Sequence, residues 1–294
     1  MKSNILFAAA GLLAASTAQA ATLSTEVFTL PSSRPFLSAA IDNSNGEFYL
    51  RETQSAGNYS VFSSVDAYLG GAEALRSFRS DNLGTYVAAA DGELITRTPG
   101  RTSPGVQRVD GSTGDVIDVR DDIEGLGPEN LVHSLGWGGD TAVNVLDSGS
   151  NLFVVSRQDV SNRFQIETLN ADLSSAGSTT FERDVVGFVF AIGDFVFGGD
   201  NFRSGRIDFA VDVTTGRLTE VDYDLGFETN VFISNTFYDD ANDTVYFLNA
   251  NGEERRLVGA SGALGADLVG EVPLPAAAFL FAPLALGFLR ARRG

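Results

Sequence analysis

Apolar and polar positions in this chain alternate over short runs of four to six residues, punctuated by Gly, Asn and Asp, and the longest clear example spans residues 231–269. There an apolar run (Val231, Phe232, Ile233) leads into the turn-rich stretch 238–243, then into Thr244-Val245-Tyr246-Phe247-Leu248-Asn249, then a tight turn at Asn251-Gly252. A third run, Arg255-Arg256-Leu257-Val258, passes through Ser261-Gly262 to a weak fourth, Ala266-Asp267-Leu268-Val269. Period-two alternation with β-branched and aromatic residues between turn formers predicts a four-stranded antiparallel meander.

Related meanders are traced four more times. The second strand of each follows a Gly, Asn or Asp turn: Glu47-Phe48-Tyr49-Leu50, Glu93-Leu94-Ile95-Thr96, Asn151-Leu152-Phe153-Val154-Val155, Phe195-Val196-Phe197 and Thr244-Val245-Tyr246-Phe247. With Leu50, Ile95, Val154, Val196 and Tyr246 as markers, the spacings are 45, 59, 42 and 50 residues, the range expected of a repeat architecture. Third strands end in turns that begin with Asp and end with Gly, at 110–114 and 212–216, with a looser copy at 169–177. In such loops Asp caps backbone amides and Gly takes the positive φ that closes the hairpin.

A four-stranded sheet has two faces and cannot bury both alone, so the sheets are expected to stack around an axis as a β-propeller of about five four-stranded blades. A six-bladed closure and an open β-solenoid are the alternatives. Inner strands such as Phe188-Val189-Phe190-Ala191-Ile192 are apolar on both faces, as burial on both sides requires, and 22 phenylalanines suit the gaps between blades. The segment Thr25-Glu26-Val27-Phe28-Thr29-Leu30 is expected to pair with the last blade, closing the ring and covering an edge that would invite aggregation.

The two ends read differently. Residues 1–20 have a short basic start with Lys2, an apolar core at 5–15, and small residues at Ala18-Gln19-Ala20. This is the pattern of a secretory signal peptide cut between Ala20 and Ala21. At the other end an apolar run at 276–289 precedes Arg290, Arg292 and Arg293. Its 14 residues give a helix of about 21 Å, short of a ~30 Å hydrocarbon core, and Pro283 removes a helical hydrogen bond. Such a segment suits transient insertion in the inner membrane, with the arginines on the cytoplasmic side. The domain division is therefore 1–20, a β-propeller-like body at 21–271, and a tail at 272–294.

That tail resembles a known sorting signal. Val272-Pro273-Leu274-Pro275-Ala276, an apolar helix and an arginine cluster are similar to the VPLPA-CTERM tail, a variant of the PEP-CTERM signals. Pro283 and the terminal Gly294 are small departures outside the motif. The resemblance implies recognition by an exosortase, a membrane-embedded cysteine transpeptidase, in Gram-negative bacteria that make exopolysaccharide. It implies delivery to the cell surface or beyond and concerns the tail alone.

Charge and composition narrow the chemistry. The net charge is −18, and without Lys2 and the three tail arginines 16 basic residues face 38 acidic ones, about −22. That balance repels nucleic-acid phosphates and anionic membrane surfaces. Absence of Cys excludes disulfides and thiol chemistry, and one histidine excludes zinc sites built from several His or Cys. No Gly-x-Ser-x-Gly elbow accompanies His133, so an Asp-His-Ser arrangement has no local support.

The irregular insert 120–140 gathers Asp121, Asp122, Glu124, His133 and Trp137 between two meanders, making it the candidate ligand-face loop. Clustered oxygens at Asp239, Asp240 and Asp243 are a candidate calcium site, although they lack the Gly of a calcium-binding loop and equally suit solvated turns. Together these features predict an exported, non-enzymatic surface or matrix scaffold. The alternative is a secreted propeller hydrolase using paired carboxylates on polysaccharide.

Overall fold

A computed structural model describes residues 24–30, 38–51, 57–81, 83, 87–98, 105–121, 143–157, 162–184, 186–200, 205–225, 232–251 and 254–261. The expected signal peptide lies outside those residues, and so do its cleavage positions Ala18, Ala20 and Ala21. The sorting motif Val272, Pro273, Leu274, Pro275 and Ala276, the tail arginines Arg290, Arg292 and Arg293, the weak strand at 266–269 and most of the insert at 120–140 lie outside them too.

Strand β1 (Ser24–Thr29) is followed by repeated antiparallel meanders. The first comprises β2 (Ser38–Asp42), β3 (Glu47–Arg51), β4 (Asn58–Phe62) and β5 (Arg76–Arg79), with a single-turn helix α1 (Val65–Leu69) between the last two. Next come β6 (Val87–Ala90), β7 (Glu93–Arg97), β8 (Val106–Asp110) and β9 (Val116–Arg120). Then follow β10 (Val143–Asp147), β11 (Leu152–Arg157), β12 (Arg163–Leu169) and β13 (Ser175–Glu182). Strands β14 (Phe188–Ile192), β15 (Phe195–Gly199), β16 (Arg206–Asp212) and β17 (Arg217–Asp224) form another sheet. Last are β18 (Phe232–Asp239), β19 (Thr244–Asn251) and β20 (Glu254–Ser261).

The protein is all-β and propeller-like. Neighbouring strands pair antiparallel, and the first two meanders join into one eight-stranded curled sheet through a single parallel bridge between Asp42 and Ala89. Strand β1 pairs with β20 at every position, from Ser24 with Ser261 to Thr29 with Arg256, so the start of the chain supplies the fourth strand of the last sheet. Strand β18 runs through Tyr238 and Asp239, which the sequence pattern assigns to a turn.

Burial falls from the first strand of a meander to its fourth. Every residue of β2 and β14 is buried, whereas β9, β13 and β17 are largely exposed. Both faces of a first strand are covered, so alternation disappears there; the outer strands β9 and β13 are wet on both faces over most of their length.

The cores lie between sheets rather than within them. Phe78 of the first meander packs with Leu94 of the second, and Ile95 of the second with Val154 of the third. Phe181 meets Phe209 in the next cluster, Phe190 meets Phe247 in the one after, and Phe237 meets Phe48 across the junction of last and first meanders. Val65 and Tyr68 of α1 seal that junction, and Ser64 caps the helix by accepting from Ala67 N. Burying each such ring contributes roughly 1.5–3 kcal/mol, and only the neighbouring sheet makes that burial possible.

The Asp-to-Gly turns form as their residues dictate. Asp110 Oδ1 accepts from Ser112 N (2.7 Å) and Thr113 N (3.0 Å), and Asp212 Oδ1 accepts from Thr214 N (2.9 Å) and Thr215 N (3.1 Å). Gly114 and Gly216 sit at φ 81° and 71°, where an added Cβ would lie 2.5 Å from Arg79 O and 2.4 Å from Thr179 Oγ1. Only glycine fits both the dihedral and the space.

Candidate functional site

The turn between the first and second strand of each meander brings an aspartate to the same end of the assembly: Asp42, Asp91, Asp147, Asp194 and Asp239. The local cause is ordinary turn chemistry, because Asp tolerates tight turns and its carboxylate accepts from amides two residues on. Gly149 N donates to Asp147 Oδ1 (2.9 Å), Ser44 N to Asp42 Oδ1 (3.0 Å), and Asn242 N to Asp239 Oδ1 (3.2 Å).

Asp42 is fully buried and its carboxylate is consumed by structure. Besides Ser44 N it accepts from Ser44 Oγ (2.6 Å), Asn45 Nδ2 (3.0 Å), Asp91 N (3.2 Å) and Gly92 N (2.6 Å). The last two belong to the second meander, which explains why the only parallel bridge among the described residues forms beside Asp42.

Asn43 ties three meanders together. Its Nδ2 donates to Asp147 Oδ2 (2.7 Å) and Tyr238 O (3.1 Å), and its Oδ1 accepts from Asp240 N (2.9 Å). Two further cross-links run between the third and fourth meanders: Gly193 N to Ser148 O (3.1 Å) and Asn151 Nδ2 to Asp194 Oδ1 (3.1 Å). The turns thus make a hydrogen-bonded collar. Within it Asp147 is partly buried, and burial pushes its carboxyl up to about 6, aided by the charges of Asp42 and Asp240 and opposed by the bonds from Asn43 and Gly149.

Beside the collar the described first strands pack closely. Ala40, Ala88, Ala191, Leu146, Phe190 and Phe237 line a residual cavity of about 10 Å³ beside Asp147, enough for one water molecule. Small alanines occupy the first strands because those strands converge on the axis.

Arginines rivet the outer parts of the sheets. Arg76 donates to Glu47 through both terminal nitrogens (2.6 Å each) and to Tyr49 Oη (3.0 Å), and its hydrogen bond holds the Glu47 carboxyl below the usual range. Arg120 pairs with Glu167 (2.9 Å) across the second and third meanders. Arg183 lies 4.6 Å from the Phe209 ring centroid, pairs with Asp200, and reaches Glu220 at 2.9 Å.

Of the candidate ligand-face loop, Asp121 is exposed just beyond β9, while Asp122, Glu124, His133 and Trp137 lie outside the described residues. The structure does place the calcium candidates. Asp239 is buried and accepts from Asn242 N and Nδ2 (2.9 Å), Asp243 accepts from Tyr238 Oη (3.0 Å), and Asp240 is exposed. Among the described residues no group of three or more His, Asp or Glu side chains is placed to hold a metal ion. Asn43, Asp147 and the Asn151–Asp194 pair escape the sequence reading; the recurrence of Asp in one phase of the repeat is the signal that points to them.

No family model matches the chain, and no curated protein matches it. Among solved structures, the crystal structure of Myxococcus xanthus glutaminyl cyclase superposes with a TM-score of 0.50, covering 82% of this chain and 97% of that one at 9% sequence identity. At that identity the likeness extends to the fold, and it places this chain among propeller-like all-β proteins.

Proposed function

We propose that this chain is an exported five-bladed β-propeller that serves as a non-enzymatic binding or structural scaffold at the cell surface or in the extracellular matrix. The blade count is supported by the first strands, which neighbour one another in the closed succession β2, β6, β10, β14, β18 and back to β2. The observation that carries the functional reading is the apolar packing of the first strands: among the described residues, alanines and phenylalanines leave a cavity of about 10 Å³ beside Asp147. Three steps complete the proposal: export through a signal peptide cut between Ala20 and Ala21, exosortase-type processing at Val272–Ala276, and transient inner-membrane insertion in a Gram-negative cell. Envelope polysaccharide is a candidate partner, and the acidic balance argues against nucleic acid.

One observation favours the hydrolase alternative. Asp147 borders the axial cavity with its carboxyl pushed up to about 6, the property a general acid needs. Of the two carboxylates whose charges act on it, Asp42 is bonded by five donor groups and has no capacity left for a second catalytic role, and Asp240 stands exposed in a turn. The scaffold reading is therefore preferred.

The test is fractionation of cells expressing the intact chain beside one lacking residues 272–294, with mass spectrometry of the mature ends. The intact chain is expected at the surface or in the medium, beginning at Ala21 and trimmed at its other end. An uncut tail in every fraction overturns the sorting proposal.

A further inference from the structure

A second, open cavity of about 310 Å³ lies between the third and fourth meanders, away from the axis. One wall is a row of cross-strand neighbours, Phe153 on β11, Thr168 on β12 and Gly177 on β13, continued by Ser178. The other wall is made by two turns of the next sheet, carrying Asp194 and Thr214, which the bond from Val213 N to Asp194 O (2.9 Å) fixes to each other. Asn151 closes one end, and its Nδ2 donates to Asp194 Oδ1 at 3.1 Å.

The chemistry of this lining is selective. Among the described residues no Lys or Arg contributes to it, and its one charge is the Asp194 carboxylate, so an anionic ligand is disfavoured. Phe153 is buried beneath the groove, leaving no broad apolar surface for a lipid. Beside one apolar side chain, Val213, the lining is hydroxyls, an amide and a carboxylate, groups that both donate and accept across short spacings. Neither Asn151 Oδ1 nor Asp194 Oδ2 is used in the bond between the two side chains. The volume falls at the small end of ligand pockets, about 300–1,000 Å³. We infer that this inter-blade groove is a binding site for a neutral, hydroxyl-rich ligand, a saccharide of one or two rings or the exposed end of a glycan chain.

Gly177 provides a clean probe. A Cβ built there meets nothing within 4 Å, and its φ lies outside the left-handed region, so a large side chain enters the groove without disturbing the sheet. The inference deepens the scaffold reading and rests on it. The two fail separately, because fractionation reports the ends of the chain and sugar titration reports the groove.

The purified full chain is titrated with maltose, cellobiose, lactose and dextran, and with polygalacturonate as the anionic control, by calorimetry and saturation-transfer NMR. At least one neutral disaccharide is expected to bind with a Kd of about 1 mM or tighter. Gly177→Phe and Asp194→Ala are each expected to weaken it at least about tenfold, a change of 1.4 kcal/mol, with melting temperature held in the former. Binding of dextran as well assigns a groove open to the interior of a chain; binding of the disaccharide alone assigns one that takes chain ends. Should Gly177→Phe fail to fold, Asp194→Ala, an exposed position, decides. No neutral saccharide bound at about 10 mM, tighter binding of polygalacturonate, or affinity unchanged in both variants overturns the inference.

Discussion

Replacing Asp147 by Asn is expected to change stability with a sign that depends on pH. The folded chain holds the Asp147 proton up to about pH 6, whereas the unfolded chain releases it from the ordinary value of 3.8. Below that ordinary value both states are protonated and no penalty exists. As pH rises, the unfolded state ionises first, so the folded state loses ground until its own carboxyl ionises near pH 6. Roughly two pH units at about 1.4 kcal/mol each make the full penalty about 3 kcal/mol. Asn removes it but keeps a single acceptor oxygen where Asn43 Nδ2 and Gly149 N each now have one, at a cost of about 1 kcal/mol. The variant should therefore gain about 2 kcal/mol near pH 8, or about 4–8 °C in Tm, and lose about 1 kcal/mol near pH 3. Thermal unfolding of variant and wild type side by side at both pH values cancels the titration of the other carboxylates. Equal differences at the two pH values, or a loss near pH 8, would refute the argument that burial of this carboxylate is a net cost.

Other outcomes follow from the same geometry. Deleting residues 24–29 removes the partner of β20 and the contact of Phe28 with Tyr246 (6.3 Å), so light scattering should show concentration-dependent association through the bared edge. Phe247→Ala, at a fully buried ring 5.6 Å from Phe190 and 5.9 Å from Phe188, should cost about 3–5 kcal/mol by urea unfolding. Arg183→Met removes the charged bonds to Asp200 and Glu220 but retains apolar cover over Phe209; a loss of about 1–3 kcal/mol that shrinks in high salt is expected from denaturation at two ionic strengths.

The second strand of each meander is legible in the sequence because aromatic and β-branched residues stand between turn formers, as in Glu47-Phe48-Tyr49-Leu50, which becomes β3. Pairing of β1 with the last sheet is legible for the same reason. First strands are harder. Ser38–Asp42 and Val87–Ala90 are rich in alanine, a poor strand former, and are chosen for the crowded axis that only the assembled ring creates. Helix α1 is too short to show a helical period. The collar is hidden for a different reason: Asn43 and Asp147 are 104 residues apart, and neither looks unlike a turn residue until the sheets meet. The acidic pattern at 239–243 shows its local role only in the fold, where Asp239 accepts from Asn242 and Asp243 from Tyr238.

Closure of the ring is tested most directly by a single cross-link in this cysteine-free chain. Val27 and Val258 are register partners on β1 and β20, so Val27→Cys together with Val258→Cys brings two thiols to facing positions. Oxidation at low protein concentration should yield an intrachain disulfide, seen as a two-hydrogen loss of mass and faster migration on non-reducing gels, with a raised Tm. Two free thiols after oxidation, or only cross-linked dimers, would contradict a ring joined end to end.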